Sequence, residues 1–438
     1  MAKIAIIGAG SHVFARRLIT DILSYPELQN STLSLMDINS ERLQFITTFA
    51  NQLITQQNFP TQVESTTNQR TALEHADYVI VSIRVGGYDT TRVELEIPAK
   101  YGIVQGVGDT IGPGGVFYGL RHIPALLNIC QDMDELCPRA WLLNYTNPMA
   151  MICWAMNDYT TIRNIGLCHS VQGTANDLAR YLDASPQDLE YWVAGINHMA
   201  WFLRLRWQGK DAYPMLQEKF QDPNIYSHPT AHWAGPDIIR VEIFKAFHYF
   251  NTESSQHMSE YVPYFRKQPD LFDRYKLRNR LDWLDERQQR RIQQDRELQQ
   301  ILHAGSAIPF HRSQEYCSSI LHGIETDIPQ RIYGNVKNTG LITNLLQGSC
   351  VEVPCLVDRS GIHPCFIGEL PPQCAALNRT NINVQELAML AAIEKEKTLV
   401  YQALLLDPLT SALLTIEETR QMVDELFDAE HAFLHEFK

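Results

Sequence analysis

Residues 3–14, KIAIIGAGSHVF, decide the fold. The run Lys3–Ile7 has the length and apolar composition of a buried strand, and a helical pattern follows the turn after it. That turn, Gly8-Ala9-Gly10-Ser11, lets the backbone approach a diphosphate at a helix N-terminus. Val13 stands where the GxGxxG pattern has its third glycine. The stretch predicts a dinucleotide site that includes Gly8, Gly10 and Ser11.

Two later strands predict further cofactor contacts. The second apolar run, 33–36, ends on Asp37, at the position where a carboxylate accepts hydrogen bonds from a ribose 2′-hydroxyl. This placement favours NAD over NADP, although Asp37 also suits the N-cap of the following helix, and both roles can coexist. A third buried run, 76–83, leads into Gly86 and Gly87, small residues where a dinucleotide would cross the strand ends.

Strand and helix patterns alternate over the first 170 residues, which predicts an α/β fold with a Rossmann-type, doubly wound parallel sheet. Further apolar runs occur at 140–143 and 165–167, and the second of them ends in Cys168 and His169. Ligands bind beyond the carboxyl ends of such strands. We therefore expect the polar residues that follow the strands to converge on one edge.

The chain has 438 residues, and we predict an NAD-binding domain over 1–195 and a mixed α/β substrate and oligomerisation domain over 196–438. A net charge of -13 without a basic cluster argues against nucleic acid as a partner. The N-terminal apolar run is too short for a signal peptide, and no stretch reaches the roughly eighteen apolar residues of a membrane span. Nine cysteines without a CxxC pair indicate reduced thiols, so we expect a cytoplasmic protein that binds a small molecule.

Cys168 and His198 are candidate metal ligands. A closed structural zinc site usually has four ligands, so one thiol and one imidazole fit an open catalytic site that leaves positions for water or substrate. In a chain with 9 Cys and 15 His, the alternative is a core thiol and a hydrogen-bonded buried histidine.

The glycine-rich run 106–115 precedes a helix that begins near Tyr118. Asp109 is the carboxylate within it and is a candidate acid, base or hydroxyl acceptor, provided that the run packs on the active site. A flexible surface loop is the other explanation of such a run.

A set of motifs spread over nearly the whole chain is specific in combination. The motifs are Gly8–Ser11, Gly86–Tyr88, Gly112–Gly115, Asn144–Met149, Cys168–Gly173, Gly195–Ala200, Thr252–Ser255, Asn338–Ile342 and Ala376–Asn383. Together they closely resemble family 4 of the glycoside hydrolases, and the versions at 168–173 and 195–200 are most similar to its α-galactosidase (melibiase) branch.

The resemblance implies a lactate/malate dehydrogenase-like first half, a second α+β catalytic domain, and redox-neutral hydrolysis of an α-glycoside. In this family NAD⁺ takes a hydride from sugar C3, which acidifies the C2 proton. A base removes that proton, the glycosidic oxygen leaves, water adds and the hydride returns. A divalent metal, usually Mn²⁺, is held by the residues that match Cys168 and His198 and acts as a Lewis acid. Thiolate is an unusual ligand for Mn²⁺. Iron, cobalt or nickel is therefore an alternative metal.

The resemblance also assigns substrate contacts. Asn147 matches a residue that contacts sugar hydroxyls near the metal. The C2 base of the family is a tyrosine, whose counterpart is Tyr261, with Tyr264 as the second candidate. A free phenol has a pKa of about 10, so this base needs a nearby cation, which the metal supplies.

Two positions depart from the phospho-glucosidase members of the family. His169 replaces their acidic residue and either protonates the leaving oxygen or orients a hydroxyl. Those members have a phosphate-binding arginine near position 91, where this chain has Thr91. This difference argues against a 6-phosphate pocket and leaves the neighbouring Arg92 free to bind another anion. The alternative substrates are therefore an acidic α-glycoside, such as a galacturonide, glucuronide or sulfoquinovoside, or a glucoside.

Two other classes of protein are weighed against this hypothesis. A lactate/malate-type NAD dehydrogenase needs no metal and uses a His/Asp pair, so Cys168 and His198 argue against it. A non-catalytic nucleotide sensor would have no use for metal-site residues. Family members are usually dimers or tetramers, so we expect a homodimer or homotetramer.

Overall fold

The computed structural model describes residues 1–228 and 235–438. Within these residues the strands form one sheet of twelve strands that runs through both halves of the chain. The strands are β1 (Lys3–Ile7), β2 (Thr32–Met36), β3 (Gln62–Thr66), β4 (Tyr78–Val81), β5 (Trp141–Asn144), β6 (Asn164–Gly166), β7 (Leu189–Ile196), β8 (Met199–Trp207), β9 (Lys210–Asp211), β10 (Gln330–Lys337), β11 (Cys350–Asp358) and β12 (Gly361–Pro364).

The first half of the sheet is parallel, in the order β3-β2-β1-β4-β5-β6. This is the strand order of a Rossmann-type doubly wound sheet, so the predicted fold is confirmed. Ile4 of the central strand β1 lies opposite Leu33 of β2 and Tyr78 of β4, and all three are buried. The sequence analysis missed β3, because this edge strand is polar and largely exposed and lacks an apolar run.

The second half of the sheet is antiparallel and continues from β6. Asn335 of β10 pairs with Gly166, and β10, β11, β7 and β8 follow in order. Glu352 of β11 pairs with Gly195 of β7, so residues distant in sequence lie side by side beyond β6. The predicted division at residue 195 falls near the end of β7 and remains a proposal.

Helices account for most of the remaining described chain. They are α1 (His12–Leu23), α2 (Ser40–Gln57), α3 (Gln69–Leu73), α4 (Gly87–Lys100), α5 (Gly112–Leu136), α6 (Met149–Tyr159), α7 (Ser170–Tyr181), α8 (Tyr213–Lys219), α9 (Ile238–Phe247), α10 (Ser255–Tyr261), α11 (Pro269–Tyr275), α12 (Leu281–His303), α13 (Tyr316–Thr326), α14 (Pro372–Glu394), α15 (Lys397–Leu406), α16 (Pro408–Leu413), α17 (Ile416–Ala429) and α18 (His431–Leu434). In the described parts of the chain, none of these helices combines the length and the apolar character that a membrane crossing requires.

Helix α5 begins earlier than expected. The sequence suggested a start near Tyr118, but the helix starts at Gly112, so the last glycines of the 106–115 run form its first turn. A Cβ on Gly115 would lie 2.6 Å from the backbone carbon of Thr110. Close packing of the helix start on the preceding loop therefore explains this glycine.

Helix α14 is joined to strand β8 by a buried asparagine. Asn378 accepts a hydrogen bond from Trp201 Nε1 at 3.1 Å and donates one to the carbonyl of Met199 at 2.8 Å. Its side chain is fully buried, so both bonds are shielded from water. This contact anchors the strand that begins directly after His198.

Candidate active site

Three potential metal ligands meet beyond the end of β6: Cys168, His198 and Glu253. Cys168 Sγ lies 3.5 Å from His198 Nε2, which lies 3.9 Å from Glu253 Oε2. One ligand atom from each residue falls within 4.8 Å of the others, and all three residues are buried. The structure thus brings the two predicted ligands together and adds a carboxylate that the sequence analysis did not assign.

His198 and Glu253 reach the cluster through paired backbone segments. His198 lies in the turn of the β7–β8 hairpin, where Ile196 pairs with Met199. The next segment pairs with β8, because Thr252 donates its amide to the carbonyl of Ala200 at 2.8 Å. Glu253 follows directly. Its only sequence signal was membership of the 252–255 motif, to which no role was attached.

Buried Arg240 supports Glu253 from the other side. Its guanidinium donates a hydrogen bond to the carbonyl oxygen of Glu253 and pairs with Asp237 at 2.5 Å and Asp177 at 2.8 Å. The two carboxylates balance the buried cation, which in turn fixes the backbone of Glu253, the third potential metal ligand.

The electrostatics of the cluster favour a metal ion. Burial, with His257 next in importance, lowers the pKa of His198 to about 4, so its imidazole is neutral and able to coordinate at neutral pH. Burial and the carboxylates of Glu253 and Glu352 raise the pKa of Cys168 well above its usual range. A cation would reverse this effect, since coordination deprotonates a thiol.

The donor set also fits a divalent transition metal. A sulfur, a nitrogen and a carboxylate oxygen leave positions for two substrate oxygens, as an open catalytic site requires. The oxygen of Glu253 is the hard ligand that Mn²⁺ prefers, which offsets the poor match of thiolate to this metal. Within the described chain, Nδ1 of His198 is buried and has no hydrogen-bond partner, while Nε2 faces Cys168 and Glu253.

Tyr261 lies beside the cluster at the end of α10. Its ring centroid is 6.5 Å from that of His198, and the side chain is buried. Burial raises the pKa of Tyr261 well above its usual value, against a smaller lowering by the hydroxyl of Thr110. By contrast, Tyr264 is 40% exposed and stacks on Phe247. Of the two candidate bases, Tyr261 is the one that adjoins the metal ligands.

His257, on the same helix, was not predicted. Its ring centroid lies 4.6 Å from that of His198, and its Nδ1 is 3.4 Å from Glu253 Oε1. Ser254 contacts the same nitrogen at 3.0 Å. Burial lowers the pKa of His257 to about 4, so the ring is neutral. Helical spacing places it one turn before Tyr261 on the same side.

Asp109 lies near enough to the cluster for its charge to act on His198 and His257. Its carboxylate lies 2.9 Å from the guanidinium of Arg280, which also donates to the carbonyl of Val107. Burial opposes ionisation, but Arg280, then His257 and Arg84, hold the pKa of Asp109 below its usual value. Of the three roles left open for Asp109, a lowered pKa favours that of a hydroxyl hydrogen-bond acceptor over that of an acid.

The glycine turn has the geometry of a dinucleotide cradle. Gly8 has φ 86°, and a Cβ there would lie 2.2 Å from the carbonyl oxygen of Ser82. Gly10 donates its amide to Asp37 Oδ2 at 2.8 Å, which joins the turn to the predicted ribose-binding carboxylate. Asn39, rather than Asp37, is the N-cap of α2, where it accepts the amide of Arg42.

The remaining predicted residues lie around this centre. Ser11 is the N-cap of α1, and Gly86 and Gly87 open α4 at the end of β4. Asn147 is half-buried at the end of β5, just before α6. The strand ends thus converge on one edge, as expected.

His169 and Arg92 lie in more exposed places. His169 is 56% exposed, and its Nδ1 is 3.7 Å from Glu315 Oε1. Together with Arg17, Gly173 and the 313–315 segment, it lines a surface cleft next to the buried cluster. Arg92 pairs with Asp285, and with Glu96 at 3.6 Å, on the outer side of α4. It is therefore not the free cation that the sequence suggested, because two carboxylates already engage it.

Comparison with known families matches residues 3–184 to the family 4 glycosyl hydrolases and residues 193–410 to the C-terminal domain of the same family. The chain belongs to the family 4 glycosyl hydrolases. This family 4 chain is 43% identical to an α-galactosidase of Bacillus subtilis (strain 168), over the whole of both chains. It is 39% identical to an α-galactosidase of Rhizobium meliloti (strain 1021), over 99% of this chain and 89% of that one.

Among solved structures, the fold matches a 6-phospho-α-glucosidase from gut microorganisms in complex with NAD and Mn²⁺. The TM-score is 0.83 at 21% identity, and the match covers 100% of both chains. At this identity the likeness shows a shared fold.

Proposed function

We propose that this chain is an NAD- and metal-dependent α-glycosidase that prefers α-galactosides. The observation that carries the proposal is the buried cluster of Cys168, His198 and Glu253, which lies at the sheet edge that also bears the glycine turn. The similarity of the whole chain to two α-galactosidases supports the choice of sugar.

The proposed site binds two groups, a dinucleotide and a divalent metal ion. When bound, NAD⁺ supplies a reversible hydride acceptor, and a divalent ion such as Mn²⁺ supplies a Lewis acid for two neighbouring sugar hydroxyls. The dinucleotide is bound by Gly8, Gly10, Ser11, Asp37, Gly86 and Gly87. Cys168, His198 and Glu253 hold the metal.

The residues around the cluster orient the sugar and move its protons. Tyr261 takes the C2 proton as its phenolate, a form that this buried phenol reaches only with a cation close by. Asp109 accepts a hydrogen bond from a sugar hydroxyl, and Asn147 binds a second one. His169, in the open cleft, protonates the leaving oxygen or orients a hydroxyl of the leaving group.

The proposal is tested by assaying p-nitrophenyl α-galactoside hydrolysis after the metal is removed with EDTA and free NAD⁺ by gel filtration. We expect activity to return only when both NAD⁺ and Mn²⁺ are added. A substrate deuterated at C2 or C3 is expected to react more slowly. Cofactor-independent hydrolysis would refute the redox-neutral mechanism, and stoichiometric NADH accumulation would identify a dehydrogenase.

An acidic α-glycoside or an α-glucoside is the alternative substrate. Arg92 is engaged by Asp285 and Glu96, which argues against it as the partner of a sugar anion. A substrate panel with α-galacturonide, α-glucuronide, sulfoquinovoside and α-glucoside separates these alternative substrates.

The cytoplasmic location and the dimeric or tetrameric assembly remain predictions. The first is supported by the nine cysteines, which are all free thiols.

A further inference from the structure

Helix α12 and the residues that follow it lie against helix α2 of the Rossmann half. Gln52 of α2 donates a hydrogen bond to the carbonyl of Leu302 at 2.9 Å, and Gln56 donates one to that of Ser306 at 2.9 Å. Leu298 and Leu302 are buried at this contact. A helix from the second half of the chain is therefore docked on the Rossmann half.

Arg291, in the middle of α12, reaches the glycine turn itself. Its Nη1 donates a hydrogen bond to the hydroxyl of Tyr88 at 3.0 Å, and its Nη2 lies 3.5 Å from Ser11 Oγ. Within the described residues these two hydroxyls are its hydrogen-bond partners, and no carboxylate forms an ion pair with it. The guanidinium thus bridges the first turn and the start of α4 through two neutral hydroxyl groups.

The turn has few other groups for an anion. The amides of Gly8 and Ala9 donate to the carbonyl of Met36, and the amide of Ser11 donates to Gly8. The amide of Gly10 donates to Asp37, which also adds a negative charge. Because these amides are already hydrogen-bonded, the negative charge of a diphosphate must be balanced by the N-terminus of α1 and by a nearby cation.

Arg17 of α1 does not meet this need. Arg17 is engaged by Glu315 at 3.2 Å, on the side of the His169 cleft. Arg291 is different, because its partners are neutral hydroxyls that a phosphate can replace or join. A guanidinium presents parallel N–H donors that match two oxygens of a phosphate group.

We propose that Arg291 binds the diphosphate of the dinucleotide, so that the cofactor site is completed by a helix of the second half of the chain. This inference rests on the proposed use of NAD⁺. It adds a contact outside the glycine turn, and it makes cofactor binding hold α12 to the first half.

The test is a binding measurement that does not depend on catalysis. Titration calorimetry compares the wild type, Arg291→Gln and Arg291→Lys, with NAD⁺, ADP-ribose and adenosine as ligands. Arg290→Gln is the matched control, because Arg290 is 69% exposed and pairs with Glu286 on the same helix.

We expect Arg291→Gln to weaken NAD⁺ and ADP-ribose binding about tenfold or more, since one charge-assisted contact is lost. Adenosine binding should be unchanged, Arg291→Lys should keep part of the affinity, and Arg290→Gln should match the wild type. Unchanged NAD⁺ affinity in Arg291→Gln would overturn the inference. An equal loss for adenosine would also overturn it, because it would indicate a disturbed helix. If the wild type bound neither NAD⁺ nor ADP-ribose, the proposed function would fail as well.

Discussion

At the scale of single residues, two of the proposed metal ligands have an unusual backbone conformation. Glu253 has φ 71° and His198 has φ 63°, both in the left-handed region. Such a conformation costs a non-glycine residue on the order of 1 kcal/mol or more, and it persists where surrounding contacts enforce it. Arg240 supplies such a contact at the carbonyl of Glu253. The strain at these two positions supports their assignment to a functional cluster.

The third ligand can be tested through metal affinity. Because an amide coordinates a divalent metal less well than a carboxylate, Glu253→Gln should raise the Mn²⁺ concentration needed for half-maximal activity about tenfold or more. NAD⁺ affinity should not change. The control is Glu242→Gln, which alters a partly exposed glutamate of α9. An identical Mn²⁺ dependence in Glu253→Gln and the wild type would remove Glu253 from the metal site.

The two candidate bases form a natural pair of variants. Tyr261→Phe should lower kcat about a hundredfold to ten-thousandfold, since general base catalysis contributes on that order. Tyr264→Phe should stay close to the wild type, because its ring lies at the surface against Phe247. Exchange of the C2 proton with deuterated water, followed by NMR, measures the same step directly. Exchange that survives in Tyr261→Phe would rule this residue out.

At the scale of elements, the site depends on how the second half is attached to β8. The hairpin turn carries His198, and the Asn378 side chain secures the following strand to α14. The 252–255 segment pairs with the same strand. Two of the three proposed metal ligands are thus positioned by one strand and its neighbours.

Asn378→Ala should therefore destabilise the protein by about 1–3 kcal/mol, because it leaves Trp201 Nε1 and the carbonyl of Met199 buried without partners. Urea unfolding, followed by fluorescence, measures this change. Thr380→Ala, at an exposed position on the same helix, serves as the control and should change the midpoint little. A midpoint for Asn378→Ala equal to that of the control would contradict the proposed anchor.

At the scale of the whole molecule, the C-terminal helices are tied to the Rossmann half by a buried ionic triad. Arg121 of α5 contacts Glu94 of α4 and Glu430, which lies between α17 and α18. All three side chains are almost completely buried, so two carboxyl groups share one cation. Burial raises the pKa of Glu94 to about 7 and that of Glu430 to about 8.

This triad predicts a pH dependence of stability. An acid whose folded pKa exceeds its unfolded value of roughly 4.3 binds more protons in the folded state, so its contribution to stability falls as pH rises. The loss should run from about pH 5 to above pH 8 and should be smaller in Glu430→Gln, which mimics the protonated acid. Urea unfolding at pH 5.5, 7 and 8.5 measures it. Glu425→Gln, which alters an ion pair with Lys100, should keep the slope of the wild type, and an equal slope in Glu430→Gln would refute the assignment.

Much of the first half was predictable because its signals are local. Apolar runs marked β1, β2 and β4, and a glycine turn marked the start of α1, as short-range sterics and strand burial require. The polar edge strand β3 carried no such signal. Helix α12 buries only a narrow face, so its largely polar sequence carries no local signal of its contact with the first half.

The sequence by itself determined the doubly wound sheet, the dinucleotide turn and the pairing of Cys168 with His198. Only the tertiary structure decided that Glu253 completes the cluster, that Tyr261 adjoins it and that Arg92 is already paired. It also placed Arg291 on the glycine turn. The physical reason is range: strand period and turn chemistry act between near neighbours, whereas side chains from distant segments meet only when sheet pairing and helix docking bring their backbones together.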